Sequence, residues 1–258
     1  MGKVLRVCII GKINCPEFNH ALKNVYAGSY VCLCSTPEEF IHLDPRPDVI
    51  ILLQSYPNEF LSSDVDSIIR VNPLACLIMI TSSWCLGERR TGKPVTDVIR
   101  VSWVDFPCWF ERQKTLFDSG KLSELSLPRL ATDAQKAELD AQFEYPSREN
   151  DVFWVLANSA VQRNTLSRFY ESLNAKVVAD NLSAETLLSS PTPAPTRVVL
   201  AVDSLADNLA ALKILSEKYR EATFYALIPD PCYNDVETLS NMGADTVLSP
   251  DFYQYAAY

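Results

Sequence analysis

Histidine is almost missing from this chain: His20 and His42 are the only two among 258 residues. With so few, neither a Ser-His-Asp nor a Cys-His arrangement can be assembled, no paired-carboxylate arrangement offers itself, and no metal-ligand spacing exists, so the expectation is a non-enzyme without a metal or cofactor. Glycine is scarce as well, with 7 residues, which excludes a flexible or low-complexity chain. No Cys-x-x-Cys pair occurs among the eight cysteines, and Cys8, Cys32 and Cys76 sit inside apolar runs. They read as reduced, buried thiols and not as a disulfide or zinc framework. Positive charge is also short: 23 Lys and Arg against 32 Asp and Glu give a net −9. That balance argues against nucleic-acid or anionic-membrane binding. No apolar run is long enough to span a bilayer. The opening MGKVLRVCIIGK has too short an apolar core for a signal peptide, and Arg6 stands where a myristoylation signal wants Ser or Thr. A soluble cytoplasmic protein is expected.

What is present is core material. Hydrophobic residues make up 48% of the chain, and its length suits two domains of ordinary size. In the first half, Val4 to Ile10 is a β-branched run closed by Gly11. Pro16 to Tyr26 has helix spacing, and Ser29 to Cys34 reads as a strand. Thr36-Pro-Glu-Glu opens a helix with a cap, a proline and acids in its first turn. Asp48 to Leu53 and Ala75 to Ile80 are apolar on consecutive residues, as strands covered on both faces must be, with a helix expected over Ser63 to Val71 between them.

The second half repeats the alternation. Strands are expected over Val152–Leu156, Lys176–Ala179, Arg197–Val202, Thr223–Ile228 and Asp245–Leu248. Helices fall between them at Ala160–Leu173, Ser183–Ser189, Asp207–Tyr219 and Asn234–Met242, the last ended by Gly243. Pro191-Thr-Pro-Ala-Pro is a stiff connector. The βα order thus stands twice, which predicts two doubly wound α/β domains, each a five-stranded parallel sheet. They are placed at 1–127 and 151–258 with a linker over 128–150, inside which Thr132 to Phe143 has the pattern of one amphipathic helix.

One stretch departs from the alternation. After Ile80 the helical period is lost, and Trp84, Trp103 and Trp109 appear among a cluster of bases. Val98 to Val104 returns as the last strand, and Phe110 to Leu127 as a closing helix broken at Ser119-Gly120. The loop falls at the carboxyl ends of the strands, where open α/β sheets bind ligands. Arg89, Arg90, Lys93 and Arg100 offer donors for an anion, and Trp84 or Trp103 a ring to stack on. Large aromatics seek burial, so Trp84 and Trp103 are expected to pin the two ends of the loop. The bases must then meet solvent, a ligand, or the acids Glu88, Asp97 and Asp105.

The ending Met242-Gly-Ala-Asp-Thr-Val-Leu-Ser-Pro-Asp-Phe resembles that of a response-regulator receiver domain, and the resemblance covers residues 151 to 252. Residues 4 to about 118 resemble the same flavodoxin-like fold more weakly. The resemblance implies a magnesium-binding acid pair after the first strand and a phosphoacceptor Asp after the third. It also implies a switch hydroxyl after the fourth strand and a Lys after the fifth. In the second half these positions fall at Ala157 and Asn158, Asp203, Ile228 and Ser249, so only Asp203 matches. In the first half the acid pair falls at Gly11 and Lys12, the phosphoacceptor at Gln54, and the switch at Thr81 or Ser82. The expectation is a pair of degenerate receivers without phosphoryl chemistry that bind a protein partner or a second copy of themselves. Phe252, Tyr253, Tyr255 and Tyr258 would add apolar surface for this. A small anionic ligand in the loop 84–93 is the alternative.

Overall fold

Five apolar runs of the first half pair side by side in a computed structural model of the chain: β1 (Leu5–Ile10), β2 (Ser29–Cys34), β3 (Val49–Gln54), β4 (Cys76–Thr81) and β5 (Ile99–Ser102). All neighbours are parallel, in the order β2-β1-β3-β4-β5. The described residues are 4–27, 29–43, 46–88, 92–127, 131–132, 134–135, 138–139, 145, 147–180, 193–202 and 209–257. The chain divides into two units, Met1–Phe143 and Glu144–Tyr258.

In the first unit β3 lies in the middle of the sheet and is buried along its whole length. Its alternate residues Ile50 and Leu52 join Cys8, Ile10, Leu77 and Met79 in one core layer, roofed by Phe40 of α3 (Pro37–Ile41) and by Val65 and Ile68 of α4 (Ser62–Val71). On a two-residue period the intervening side chains face the other way. Helices α1 (Pro16–Ala21), α2 (Lys23–Tyr26) and α5 (Phe106–Asp118) pack on one another and bury Phe18, Val25, Phe106 and Phe110.

Two expected elements differ. The Pro16–Tyr26 helix breaks at Leu22, and both Leu22 and Val25 are buried. The closing helix starts four residues early, because Pro107 suits a first turn, and ends at Asp118, where Gly120 (φ +71°) turns the chain.

The second unit has the same order: β6 (Val152–Ala157), β7 (Lys176–Asp180), β8 (Arg197–Ala201), β9 (Thr223–Leu227) and β10 (Thr246–Leu248) run β7-β6-β8-β9-β10, all parallel. Its helices are α6 (Ala160–Ser172), α7 (Leu209–Lys218) and α8 (Tyr233–Asn241). Successive residues of β6 serve opposite faces. Phe153 stacks on Tyr170 of α6 at 4.3 Å, and Trp154 meets Tyr219 beyond α7 at 5.1 Å. Gly243 has φ +106°, and a Cβ there would stand 2.5 Å from that of Ser216, so the turn into β10 requires glycine. The Ser183–Ser189 helix and the first residues of the proline connector lie outside the described residues, as does most of the Thr132–Phe143 helix.

The chain end is a correction to the aromatic surface expected there. Pro250–Ala257 forms a 3-10 segment with Tyr255 buried and Phe252 and Tyr253 half-buried. Tyr170 donates its hydroxyl to the Tyr253 carbonyl at 2.9 Å, and Arg197 donates to the Ala256 carbonyl at 2.8 Å. Arg148 holds the carbonyl of Ala257. With three carbonyls claimed by the body of the unit, the described aromatics pack down. Tyr258 lies outside the described residues.

Candidate functional site

In a parallel sheet all strands end at one edge, so the first unit brings Ile10, Gln54, Thr81 and Ser102 together there. Gln54, at the phosphoacceptor position of the receiver-like pattern, is fully buried. Its amide nitrogen donates to Glu88 Oε1 at 2.8 Å, and its amide oxygen accepts from Arg100 Nη2 at 3.1 Å. Glu88 reaches in from the loop after β4 and forms an ion pair with Arg100 of β5. The backbone N–H of Asn58 donates to the same Glu88 oxygen at 3.0 Å. An amide is the one side chain of this size that can donate to the acid and accept from the base, and an aspartate here would set two carboxylates against each other.

Burial by itself would raise the Glu88 carboxyl. The Asn58 N–H, the Gln54 amide and the Arg100 guanidinium outweigh it and hold the group below its ordinary value. The carboxylate therefore stays charged inside the protein. Gly92 closes the loop over it: its N–H donates to the Glu88 carbonyl at 2.7 Å, and a Cβ there would stand 2.8 Å from Glu88 Cγ. Ser82, the possible switch hydroxyl, instead donates to the Ser55 carbonyl at 2.7 Å, and Cys85 Sγ lies against the Gln54 carbonyl.

The predicted site residues therefore separate. Arg100 is occupied by Glu88 and Gln54, as the acids were expected to do for part of the basic loop. Trp103 is buried, edge-on to His20 at 5.6 Å. The burial expected of Trp84 is corrected: it is 81% exposed. Ser83–Cys85 is a single 3-10 turn capped by Ser82, and its inward side is taken by Cys85, so Trp84 points outward. Ser83 is fixed by Glu17 of α1, whose carboxylate accepts from Ser83 Oγ at 2.6 Å and Ser83 N–H at 3.2 Å. Lys93 is exposed, as is Lys12 at the acid-pair position. Arg89 and Arg90 lie outside the described residues.

In the second unit Asp203 also lies outside the described residues. Ala157 is buried and Asn158 exposed at the end of β6. Arg163 of α6 donates to both their carbonyl oxygens, at 2.9 Å for Asn158. Ile228 is buried and brings no hydroxyl. The described residues of neither edge fit the magnesium that the fold family implies. Gly11, Lys12, Ala157 and Asn158 supply no carboxylate at the acid-pair positions, and Arg163 sets a guanidinium at the end of β6, against the oxygen-rich shell such an ion needs. Among the described residues no three His, Cys, Asp or Glu side chains converge to hold a metal.

Sequence reasoning named Glu88 only as one neutraliser among three acids and missed Asn58 and Arg163. A Glu followed by Gly-Lys four residues on, in a loop expected near the strand ends, was the available signal for Glu88. Nothing in the sequence marks the Asn58 N–H or points Arg163 back at β6.

The strand order of both sheets, 2-1-3-4-5 counted within each unit, is that of flavodoxin and receiver domains, and both halves have the receiver-like fold. No protein-family model and no curated protein matches the chain. Similar solved structures include the beryllofluoride-activated DrrB receiver domain, 19% identical, over 39% of this chain and 88% of that one (TM-score 0.34). A response regulator from Burkholderia pseudomallei, solved with a phosphorylated aspartate, is also 19% identical, over 38% of this chain and 59% of that one (TM-score 0.35). The C-terminal part of E. coli RcsC, a linker region with a phosphoreceiver domain, is 13% identical over 96% and 88% (TM-score 0.33). Among the described residues no helix is long and apolar enough to cross a membrane.

Proposed function

We propose that this chain is a non-catalytic tandem pseudo-receiver, a signalling module that works by binding a protein partner. The observation that carries this reading is the closed network at the first edge. Gln54 cannot accept a phosphoryl group as an acyl phosphate, and Glu88 and Arg100 fill the space beside it with a paired charge. The second edge supports it through Ala157, Asn158 and Arg163, which leave Asp203 without an acid pair to hold magnesium. Eight free thiols fit a reducing compartment, so we place the protein in the cytoplasm. A small anion in the basic loop is the weaker reading, because Arg100 already has its counter-ion. Incubation with acetyl phosphate and Mg²⁺, followed by intact-mass analysis, tests the proposal. No adduct and no beryllofluoride binding are expected. A stoichiometric phosphoryl adduct lost in Asp203→Asn would overturn it.

A further inference from the structure

The donors of Gln54, Asn58 and Arg100 make a matched seat for a carboxylate. One Glu88 oxygen takes the Gln54 amide at 2.8 Å and the Asn58 N–H at 3.0 Å, and the other pairs with the Arg100 guanidinium. Two of the three donors stand on strands: Gln54 ends β3, Arg100 lies in β5, and the Gln54 amide oxygen accepts from Arg100 at 3.1 Å. Asn58 has φ +61°, a left-handed conformation that asparagine adopts more readily than most residues and that ligand clamps often hold. The occupant comes from a different segment, the connection between β4 and β5. It seats because residue 92 is glycine: a Cβ there would stand 2.8 Å from Glu88 Cγ and 3.0 Å from the Glu88 carbonyl oxygen. Stability gives little reason for the arrangement, since a buried ion pair adds little over apolar side chains of the same volume. Recognition gives one, since fixed donors that meet both oxygens select a carboxylate.

We propose that the seat at the ends of β3 and β5 is a binding site for a small carboxylate ion, and that Glu88 is its built-in inhibitor, filling the site until its side chain is drawn out. The ligand differs from an anion held by the exposed bases of the loop, because Arg100 binds it here in place of Glu88. Tethering gives Glu88 a high effective concentration at the seat, so the intact chain shuts free acids out. The seat also sets the ligand's size. Truncation of Glu88 to Ala removes one methylene and one carboxylate, which are the non-methyl atoms and the chain carbon that acetate returns. A tetrahedral phosphate does not match three donors placed for two planar oxygens. The inference goes beyond the partner-binding reading and does not depend on it.

The test titrates acetate, formate, phosphate and chloride at equal ionic strength against the full chain and two variants, Glu88→Ala and Gly92→Ala. The first empties the seat, and the second keeps every donor and the carboxylate but crowds Glu88 out. In both, saturating acetate or formate is expected to raise the melting temperature by about 4 °C or more, with phosphate and chloride inert. The unaltered chain is expected not to respond. If Glu88→Ala is unfolded, acetate is expected to restore its circular dichroism. Adding Arg100→Met to Glu88→Ala is expected to abolish the response. The proposal is overturned if neither variant responds to acetate, if chloride or phosphate does as well, or if the response survives Arg100→Met. It is also overturned if Gly92→Ala behaves as the unaltered chain, since Glu88 would then be a fixed structural partner and not an inhibitor. Either failure leaves the non-catalytic reading standing, whereas a phosphoryl adduct at Asp203 would sink that reading and leave this site untouched.

Discussion

At the carboxyl edge of each sheet the two halves depart from a receiver's chemistry by different routes. In the first, the acid positions are Gly11 and Lys12, and the space beside Gln54 is taken by a buried carboxylate and guanidinium from the next loop and strand. In the second, Ala157 and Asn158 are neutral, and a guanidinium from α6 caps the carbonyls at the end of β6. The first edge is rebuilt around a charge pair that only its surroundings make tolerable. At the second edge small changes remove the ligands and add one cation. The teaching is energetic. A buried ion pair contributes little net stability compared with apolar packing, but it makes each partner indispensable to the other. The first edge should therefore resist piecemeal change more than the second.

The largest expected effect breaks that pair. Glu88→Ala or Arg100→Ala each leaves an unpaired buried charge, and the first unit should lose about 3–5 kcal/mol. Replacing the two together with apolar residues should recover much of the loss. Urea unfolding followed by circular dichroism measures this. Equal losses in the single and double variants would mean that the network is not coupled. The acid dependence follows from the same group. The folded Glu88 carboxyl lies below its ordinary value of 4.5, so its contribution is fully present above that pH and is lost as pH falls through the folded value. Glu88→Gln should flatten the acid limb of the first unit's stability curve below pH 4.5 and leave it unchanged at neutrality apart from a constant offset.

Most of the fold was legible in the sequence because parallel strands covered on both faces must be apolar without a break. Asp48–Leu53 and Arg197–Val202 have that character, and β3 and β8 lie within one residue of those limits. Boundaries were less legible where a single residue decides them: Pro107 started α5 before the periodicity suggested, and Leu22 divided one helix into two. The site was half legible. That Gln54 holds the phosphoacceptor position follows from counting along the strand. That Glu88, among three candidate acids, takes Arg100 depends on how a loop without periodicity folds back, and Gly92 shows its role only once a Cβ can be placed against Glu88. The outward Trp84 could not be read, since bulk alone argues for burial and only the three-residue turn with Cys85 inside reverses it.

In the second unit the expected effects are smaller because the relevant contacts are neutral or partly exposed. Gly243→Ala places a Cβ against Ser216 in a backbone conformation that L-residues rarely adopt, and should cost about 2 kcal/mol. A second change, Ser216→Gly, removes the collision but not the strain, so it should return only part of that. Tyr170→Phe deletes the hydroxyl that holds the Tyr253 carbonyl, at about 1 kcal/mol. That variant should also speed amide exchange across Pro250–Ala257 relative to β8. If the segment exchanges no faster, the other two carbonyl ties, from Arg197 and Arg148, are sufficient to hold it.

The smallest expected effect comes from one of two tryptophans that follow neighbouring strands, Trp84 after β4 and Trp103 after β5, and the pair sharpens the contrast between what the first edge buries and what it displays. Trp103 is 1% exposed, and its truncation to Ala should cost about 3–5 kcal/mol through lost burial and the cavity left behind. Trp84→Ala should change stability by less than about 0.5 kcal/mol, since the ring is already in water and its turn is held by Ser82, Cys85 and Glu17, not by the indole. Acrylamide quenching gives an independent reading: the accessible fraction of the emission should vanish in Trp84→Ala and persist in Trp103→Phe. A marked loss of stability in Trp84→Ala would show that the indole supports the fold. It would then be a structural side chain.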